Sequence, residues 1–201
     1  KSETDTEVVA ALLDRLYELP QSSGTITIDG TDIRDIPLPY LRENIGMVLQ
    51  EPYLFSRTLE ENIAIANRSA GHEDVLKASR TASLDHAVSH FKEGYQTFVG
   101  ERGVTLSGGQ KQRTAIAQML VRKAPVMIFD DSLSAVDAET DAKIRNALKK
   151  STGDSTVILI AHRITTLMNA DVIVVLEDGK VAEIGNHAQL MENHGIYRQI
   201  Y

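Results

Sequence analysis

Two short segments about twenty residues apart constrain this chain more than any others. Leu106-Ser107-Gly108-Gly109-Gln110 opens an amphipathic helix, and Val126-Met127-Ile128-Phe129-Asp130-Asp131 is an apolar run ending in two carboxylates. Glycines at a helix N-terminus leave backbone N–H groups open to an anion, and the helix dipole favours negative charge there. Carboxylates at the end of a buried strand can hold a magnesium ion and orient a water molecule. Together the two segments read as nucleotide chemistry.

The pattern around them is that of an α/β protein. Val8, Val9, Leu12, Leu13 and Leu16 set a helical period over residues 7–19, broken at 20–24. Residues 25–29 alternate, and Asp29-Gly30 predicts a hairpin whose second strand runs through 31–33. A short helix over 38–44 leads into a buried strand, 45–49, ending at Gln50. Residues 59–120 read as helical throughout, with helices over 73–81 and 85–91, a Gly-rich loop over 92–103, and Ser107 capping a helix over 109–123. Beyond it come strand 126–129, helix 138–150, strand 156–161, helix 165–170 and strand 172–177. The hairpin turn Asp178-Gly179, strand 180–184 and two helices over 186–192 and 195–201 close the chain. Strand–helix alternation predicts a mostly parallel sheet covered on both faces, and the helical stretch before it a separate lobe.

Composition narrows the class. The 201 residues suit one domain, and a hydrophobic fraction of 42% supports a real core. Apolar runs such as 126–129 and 172–176 are too short to cross a bilayer, and no signal peptide pattern opens the chain. The absence of cysteine excludes disulfides and thiolate metal sites, and reads as a cytosolic protein. A net charge of −7 argues against a broad nucleic-acid surface.

The sequence resembles the ATP-binding cassette (ABC) ATPases. Residues 106–110 are similar to the family's signature motif, Asp130 to its Walker B aspartate, and Ser134-Ala135-Val136-Asp137 to its D-loop. Ala161-His162-Arg163 carries what resembles the switch histidine, and Gln50 stands where the Q-loop glutamine does. Five motifs in order and at matching spacing cover nearly the whole chain. The resemblance implies a P-loop NTPase-type, mostly parallel sheet with a helical subdomain and a small antiparallel β portion. Residues 1–50 and 121–201 would form the core, and 51–120 the helical subdomain.

One expected element is missing. A fold of this kind begins with strand–GxxxxGK[ST]–helix, and that pattern does not occur here. Two registers stay open. In one, Lys1 and Ser2 end the phosphate loop, the lysine meeting the β- and γ-phosphates and the serine magnesium. In the other, Thr6-Glu7 falls there, and the glutamate would repel phosphate. A plainer alternative makes Lys1-Ser2 a mere chain end. The first core strand and the loop glycines are then expected to lie outside this chain, which is read as an N-terminally incomplete cassette.

The family's roles carry over residue by residue. Asp130 and Gln50 would hold magnesium, with helix capping as the alternative for Asp130 and an ordinary exposed loop residue for Gln50. Asp131 stands where the family usually has glutamate, the residue that polarises the attacking water. It is one methylene shorter, and a misplacement of about 1 Å can cost about a hundredfold in rate. Slow hydrolysis at this half-site is therefore expected, as in the degenerate subunit of heterodimeric multidrug exporters, unless water or backbone adjustment restores reach. His162 would hydrogen-bond the γ-phosphate. Ser107, Gly108, Gly109 and Gln110 would close over an ATP held by a second cassette, and Asp137 would link the half-sites, cap the next helix, or both.

The resemblance implies ATP and Mg2+ as cofactors and a second nucleotide-binding domain, identical or different, as partner. Transmembrane domains would dock through coupling helices, placing the chain at the cytoplasmic face of the cell membrane. Tyr53, Leu54 and Phe55, with Glu60-Glu61-Asn62-Ile63, resemble the exporter surface beneath those helices, or else pack inside the helical lobe. Glu101 and Arg102 resemble the exporter cross-linking loop, or are a solvated loop. A soluble ABC ATPase acting on nucleic acid, and a regulatory module that binds ATP without hydrolysis, are the competing readings.

Overall fold

Two Asp-Gly pairs set the ends of the fold. The computed structural model describes residues 24–100, 105–132, 136–151 and 155–201. Lys1, Ser2, the helix expected over 7–19, Glu101, Arg102, Ser134 and Ala135 lie outside them. Asp29 and Gly30 both take positive φ (49° and 80°), the type I′ geometry that matches strand twist, and so join β1 (Thr27–Ile28) to β2 (Thr31–Asp32). Asp32 then caps a 3-10 turn, Ile33–Asp35, by accepting from Arg34 N at 2.9 Å. Its side-chain hydrogen bond to the Arg34 guanidinium is the main reason its carboxyl falls to about 2. Helix α1 (Leu38–Asn44) follows, with Pro39 in its first turn, where a missing N–H costs nothing.

The chain divides into two compact units, residues 44–160 and residues 1–43 with 161–201. In the first, a three-stranded parallel sheet has the order β3 (Ile45–Val48), β6 (Val126–Asp130), β7 (Thr156–Ile160). Central β6 is the most buried of the three, with Met127, Ile128, Phe129 and Asp130 all inside. Register pairs Val48 with Phe129 and Asp130 with Ile160, so all three strands end at one edge. No further strand pairs with β3 or β7 among the described residues.

The helical lobe runs between β3 and β6. Its elements are β4 (Arg57–Thr58), α2 (Leu59–Ala64), α3 (His72–Thr81), α4 (Asp85–Val88), a 3-10 turn at Gly94–Gln96, β5 (Phe98–Val99) and α5 (Gly108–Arg122). Helix α5 is the axis of this unit, packing on α2, α3 and β3. Gly46 makes the last contact possible, because a Cβ there would lie 2.2 Å from Met119 Sδ. Leu54, Leu59, Ile63, Val75, Leu84, Val99, Ile116 and Phe129 share one core with Ile144 and Leu148 of α6 (Ala138–Ser151).

Two expectations are corrected here. Residues 59–120 are not helical throughout, since β4 and β5 pair antiparallel, Arg57 with Val99 and Thr58 with Phe98. Two-residue strands this far apart leave no periodicity to read. The helix expected over 85–91 ends at Val88, and tighter bonds (His90 N to Ala87 O, Phe91 N to Val88 O) carry the chain onward.

The second unit resumes with α7 (Ile164–Leu167) and the hairpin β8 (Ile173–Glu177), β9 (Lys180–Gly185), turned by Asp178 and Gly179 at φ 50° and 73°. Ile173, Leu190 and Tyr197 form a small core beneath it, closed by α8 (His187–Glu192) and α9 (Ile196–Ile200). The Glu183 carboxylate accepts from Ile196 N at 2.7 Å and Tyr197 N at 3.2 Å, capping α9. The register partners Val174 and Ile184 are both exposed.

Candidate nucleotide site

Local sequence decides how α5 begins. Leu106 is buried and anchors the entering chain, while Ser107 and Gly108 are exposed. Ser107 Oγ accepts from Gln110 N at 3.3 Å, and Gln110 Oε1 accepts from Ser107 N at 2.8 Å, a complete capping box. Lys111 N is bonded to Ser107 O. The amides of Gly108 and Gly109 have no partner within the helix, since the first N–H groups of any helix point outward. As a cap the Ser107 hydroxyl accepts, so its own hydrogen stays free to donate. Gln110, by contrast, has its side-chain oxygen committed to the cap.

The sheet edge supplies the acid groups. Asp130 ends β6 with 8% of its surface exposed, and has a polar partner. Asp131 follows in the left-handed region at φ 39°, and its N–H donates to Ile160 O at 2.9 Å, pinning the turn to β7. Aspartate tolerates that backbone better than most residues. Gln50 leaves the same edge two residues after β3 and is exposed. Asp137 Oδ1 accepts from Thr140 N at 2.9 Å, and its carbonyl accepts from Asp141 N, so it caps α6. Hydrogen bonds donated by the Thr140 backbone and side chain, and less so the charge of Arg113, hold its carboxyl below the usual carboxylate range.

The unit 44–160 thus brings Gln50, Asp130 and Asp131 to one edge of its sheet, and holds Ser107–Gln110 and Asp137 at two helix starts. His162 is exposed and belongs to the other unit, two positions after the last residue of β7. The segment after Gln50 splits by residue: Leu54 is fully buried, whereas Tyr53 and Phe55 are 56% and 42% exposed and meet edge-to-face with centroids 5.1 Å apart.

Three side chains hold positions that the sequence did not announce. Gln112 is buried on α5 and donates to Gln50 O at 3.3 Å. Asn62 is fully buried, accepting from Phe55 N at 2.8 Å and donating to the carbonyls of Phe55 and Thr58, both at 3.0 Å. Arg113 buries its Nε without a bonded partner among the described residues. Gln112 had a signal: with Ile116 and Met119 it lies on one helical face, a polar residue in an apolar stripe.

Among the described residues no cluster of three His, Asp or Glu side chains could hold a metal by itself. One buried carboxylate at a strand end suits Mg2+, which takes one or two carboxylates and completes its shell with phosphate and water. No described helix is long and apolar enough to cross a membrane.

A family model described as ABC transporter matches residues 9–134, more than half of the chain. ABC transporter B family member 1 of Arabidopsis thaliana is 48% identical over 194 residues, which cover 96% of this chain and 15% of that protein. The putative multidrug export ATP-binding/permease protein YgaD of Bacillus subtilis (strain 168) is 44% identical, with 96% and 33% covered. Among solved structures, a bacterial Atm1-family ABC exporter with ATP bound superposes with a TM-score of 0.90 at 37% identity, over 96% of this chain and 34% of that one. The chain spans about a third or less of these relatives. By family model, motif order and fold together, it belongs to the ABC transporter family, as an ATP-binding domain whose relatives include exporters.

Proposed function

We propose that this chain is half of an ATP-driven clamp powering export across a membrane, within a longer polypeptide whose transmembrane part docks through coupling helices at the cytoplasmic face. The observation that carries the reading is the capped, open N-terminus of α5, held in the same unit as the edge bearing Asp130, Asp131 and Gln50. Bound Mg2+–ATP supplies the reacting phosphoanhydride and the charge that closes two cassettes. Asp130 and Gln50 bind the metal side, Asp131 orients the attacking water, and His162 holds the γ-phosphate end. Ser107, Gly108 and Gly109 donate to the nucleotide of the second cassette, and Asp137 links the half-sites. Lys1 and Ser2 serve the phosphates and metal in the first of the two registers. Exposed Tyr53 and Phe55 are the surface for the coupling helices.

Asp131 sets the rate. Its carboxylate is shorter than glutamate by about 1.5 Å of reach, enough for roughly a hundredfold loss in turnover. The shorter carboxylate supports a half-site kept for binding more than for hydrolysis. The test is ATP turnover by the complete polypeptide carrying these residues. Asp130→Asn should abolish Mg2+-dependent hydrolysis, and Asp131→Glu should raise turnover at this half-site at least tenfold. Unchanged hydrolysis in Asp130→Asn would overturn the clamp reading, and no gain from Asp131→Glu would overturn the weakened site.

A further inference from the structure

Helix α5 holds the segment 50–62 at two points. At the first, the buried amide of Gln112 donates to the backbone carbonyl of Gln50 at 3.3 Å, across 62 residues of sequence. At the second, about one and two-thirds turns on, Gln118 Nε2 donates to Asn62 O at 2.8 Å, across 56 residues. Asn62 passes that grip forward. Its carboxamide spans the loop, with Oδ1 on Phe55 N and Nδ2 on the carbonyls of Phe55, Thr58 and, at 3.4 Å, Arg57. Every polar atom of this fully buried side chain is engaged. Leu54, fully buried between the two grips, adds an apolar anchor.

The consequence is mechanical. Buried amide networks have one satisfied arrangement, and breaking it leaves desolvated carbonyls unpaired. The segment between the grips therefore cannot shift along α5 without losing several bonds together. We propose that Gln112 is a positioning residue, which with Gln118 and Asn62 locks the 50–58 loop to the helix that begins at Ser107. Gln50 at one end and the exposed Tyr53–Phe55 pair further on then move with Ser107–Gly109 as one body. This rests on the function proposed above. It adds a fixed link between the residues that meet the nucleotide of the second cassette and those that meet the metal and the membrane partner.

The experiment uses the complete polypeptide with Gln112→Met and Gln112→Leu, which nearly keep the volume and remove the donor. Both are expected to lower kcat for ATP about tenfold or more while KM stays within about twofold, since a loosened Gln50 misplaces a contact without removing it. Hydrogen exchange should rise about tenfold at the amides of 51–56 and stay unchanged in α5, a pattern that a general loss of stability would not produce. If Gln112→Met keeps either the parent kcat or the slow exchange, the proposal is overturned. If exchange also rises within α5, the half-buried Gln118→Met decides by the same measurements: faster exchange confined to 53–58 upholds the link, and unchanged exchange there overturns it. An unaltered polypeptide that hydrolyses no ATP sinks the functional reading itself. Normal hydrolysis in both parent and Gln112→Met sinks only this inference.

Discussion

Ser107 joins stability to function, and the two can be separated by substitution. Its Oγ accepts one exposed bond from Gln110 N, at 3.3 Å the longer arm of the capping box. The other arm, Gln110 Oε1 to the Ser107 amide at 2.8 Å, uses only backbone at position 107 and survives any replacement except proline. Losing the long arm alone places Ser107→Ala at the low end of the capping range, about 0.5–1 kcal/mol, and Ser107→Gly at a few tenths. The buried face of α5, with Ile116 and Met119, keeps the helix folded in each case. At roughly 2–4 °C per kcal/mol for a chain of this size, neither variant should lower Tm by more than about 4 °C.

Activity should behave differently. If the free hydroxyl hydrogen reaches a phosphate oxygen of the facing cassette, removing it deletes one charge-assisted hydrogen bond, worth about 1.5–3 kcal/mol. That is about a ten- to hundredfold loss in turnover. Alanine and glycine should therefore lose activity equally despite their different stabilities, and threonine should keep it within a few-fold. The assay is ATP turnover of the complete polypeptide beside thermal melting of the same samples. Turnover that tracks Tm, with Ser107→Gly close to the parent, would refute a phosphate-facing hydroxyl and leave Ser107 a cap alone.

Gly195→Ala places a Cβ 1.4 Å from Glu183 Oε1 and must expel the carboxylate that holds the Ile196 and Tyr197 amides, at a cost of about 1–3 kcal/mol. In a Glu183→Ala background the same change should cost almost nothing, and additive effects in a denaturant double-mutant cycle would exclude the latch. At Asp137 the folded carboxyl is held below its unfolded value, so the stabilisation is complete above about pH 4 and is lost as pH falls through the folded value. Asp137→Asn keeps a capping oxygen without the charge, so the gap between the two proteins in chemical denaturation should narrow below pH 4. A gap that stays constant down to pH 2.5 would contradict the assignment.

Much of this domain was legible in the chain. The Asp-Gly turns declared both hairpins because few residue pairs adopt two successive positive φ values cheaply. The cap at Ser107 and the strand end at Asp130 were equally plain, because helix starts and buried strands are written in contiguous residues. The segment at 53–55 was only half legible: three adjacent apolar residues looked alike, and the lobe took Leu54 inward while leaving Tyr53 and Phe55 outside. Asp131 was legible as a short carboxylate, but not as a residue with left-handed backbone.

What the sequence determined by itself is the order of elements and the identity of the chemical groups at each strand end and helix start, because these follow from local period and local hydrogen bonding. What only the tertiary structure decided is which distant backbone groups those side chains hold. Gln112 finds the carbonyl of Gln50, Asn62 grips its own preceding loop, and Glu183 caps a helix that begins after Gly195. A buried amide or carboxylate must be paired wherever it ends up, yet its partner is chosen by which backbone the packed core brings within about 3 Å, and spacing along the chain carries no record of that choice.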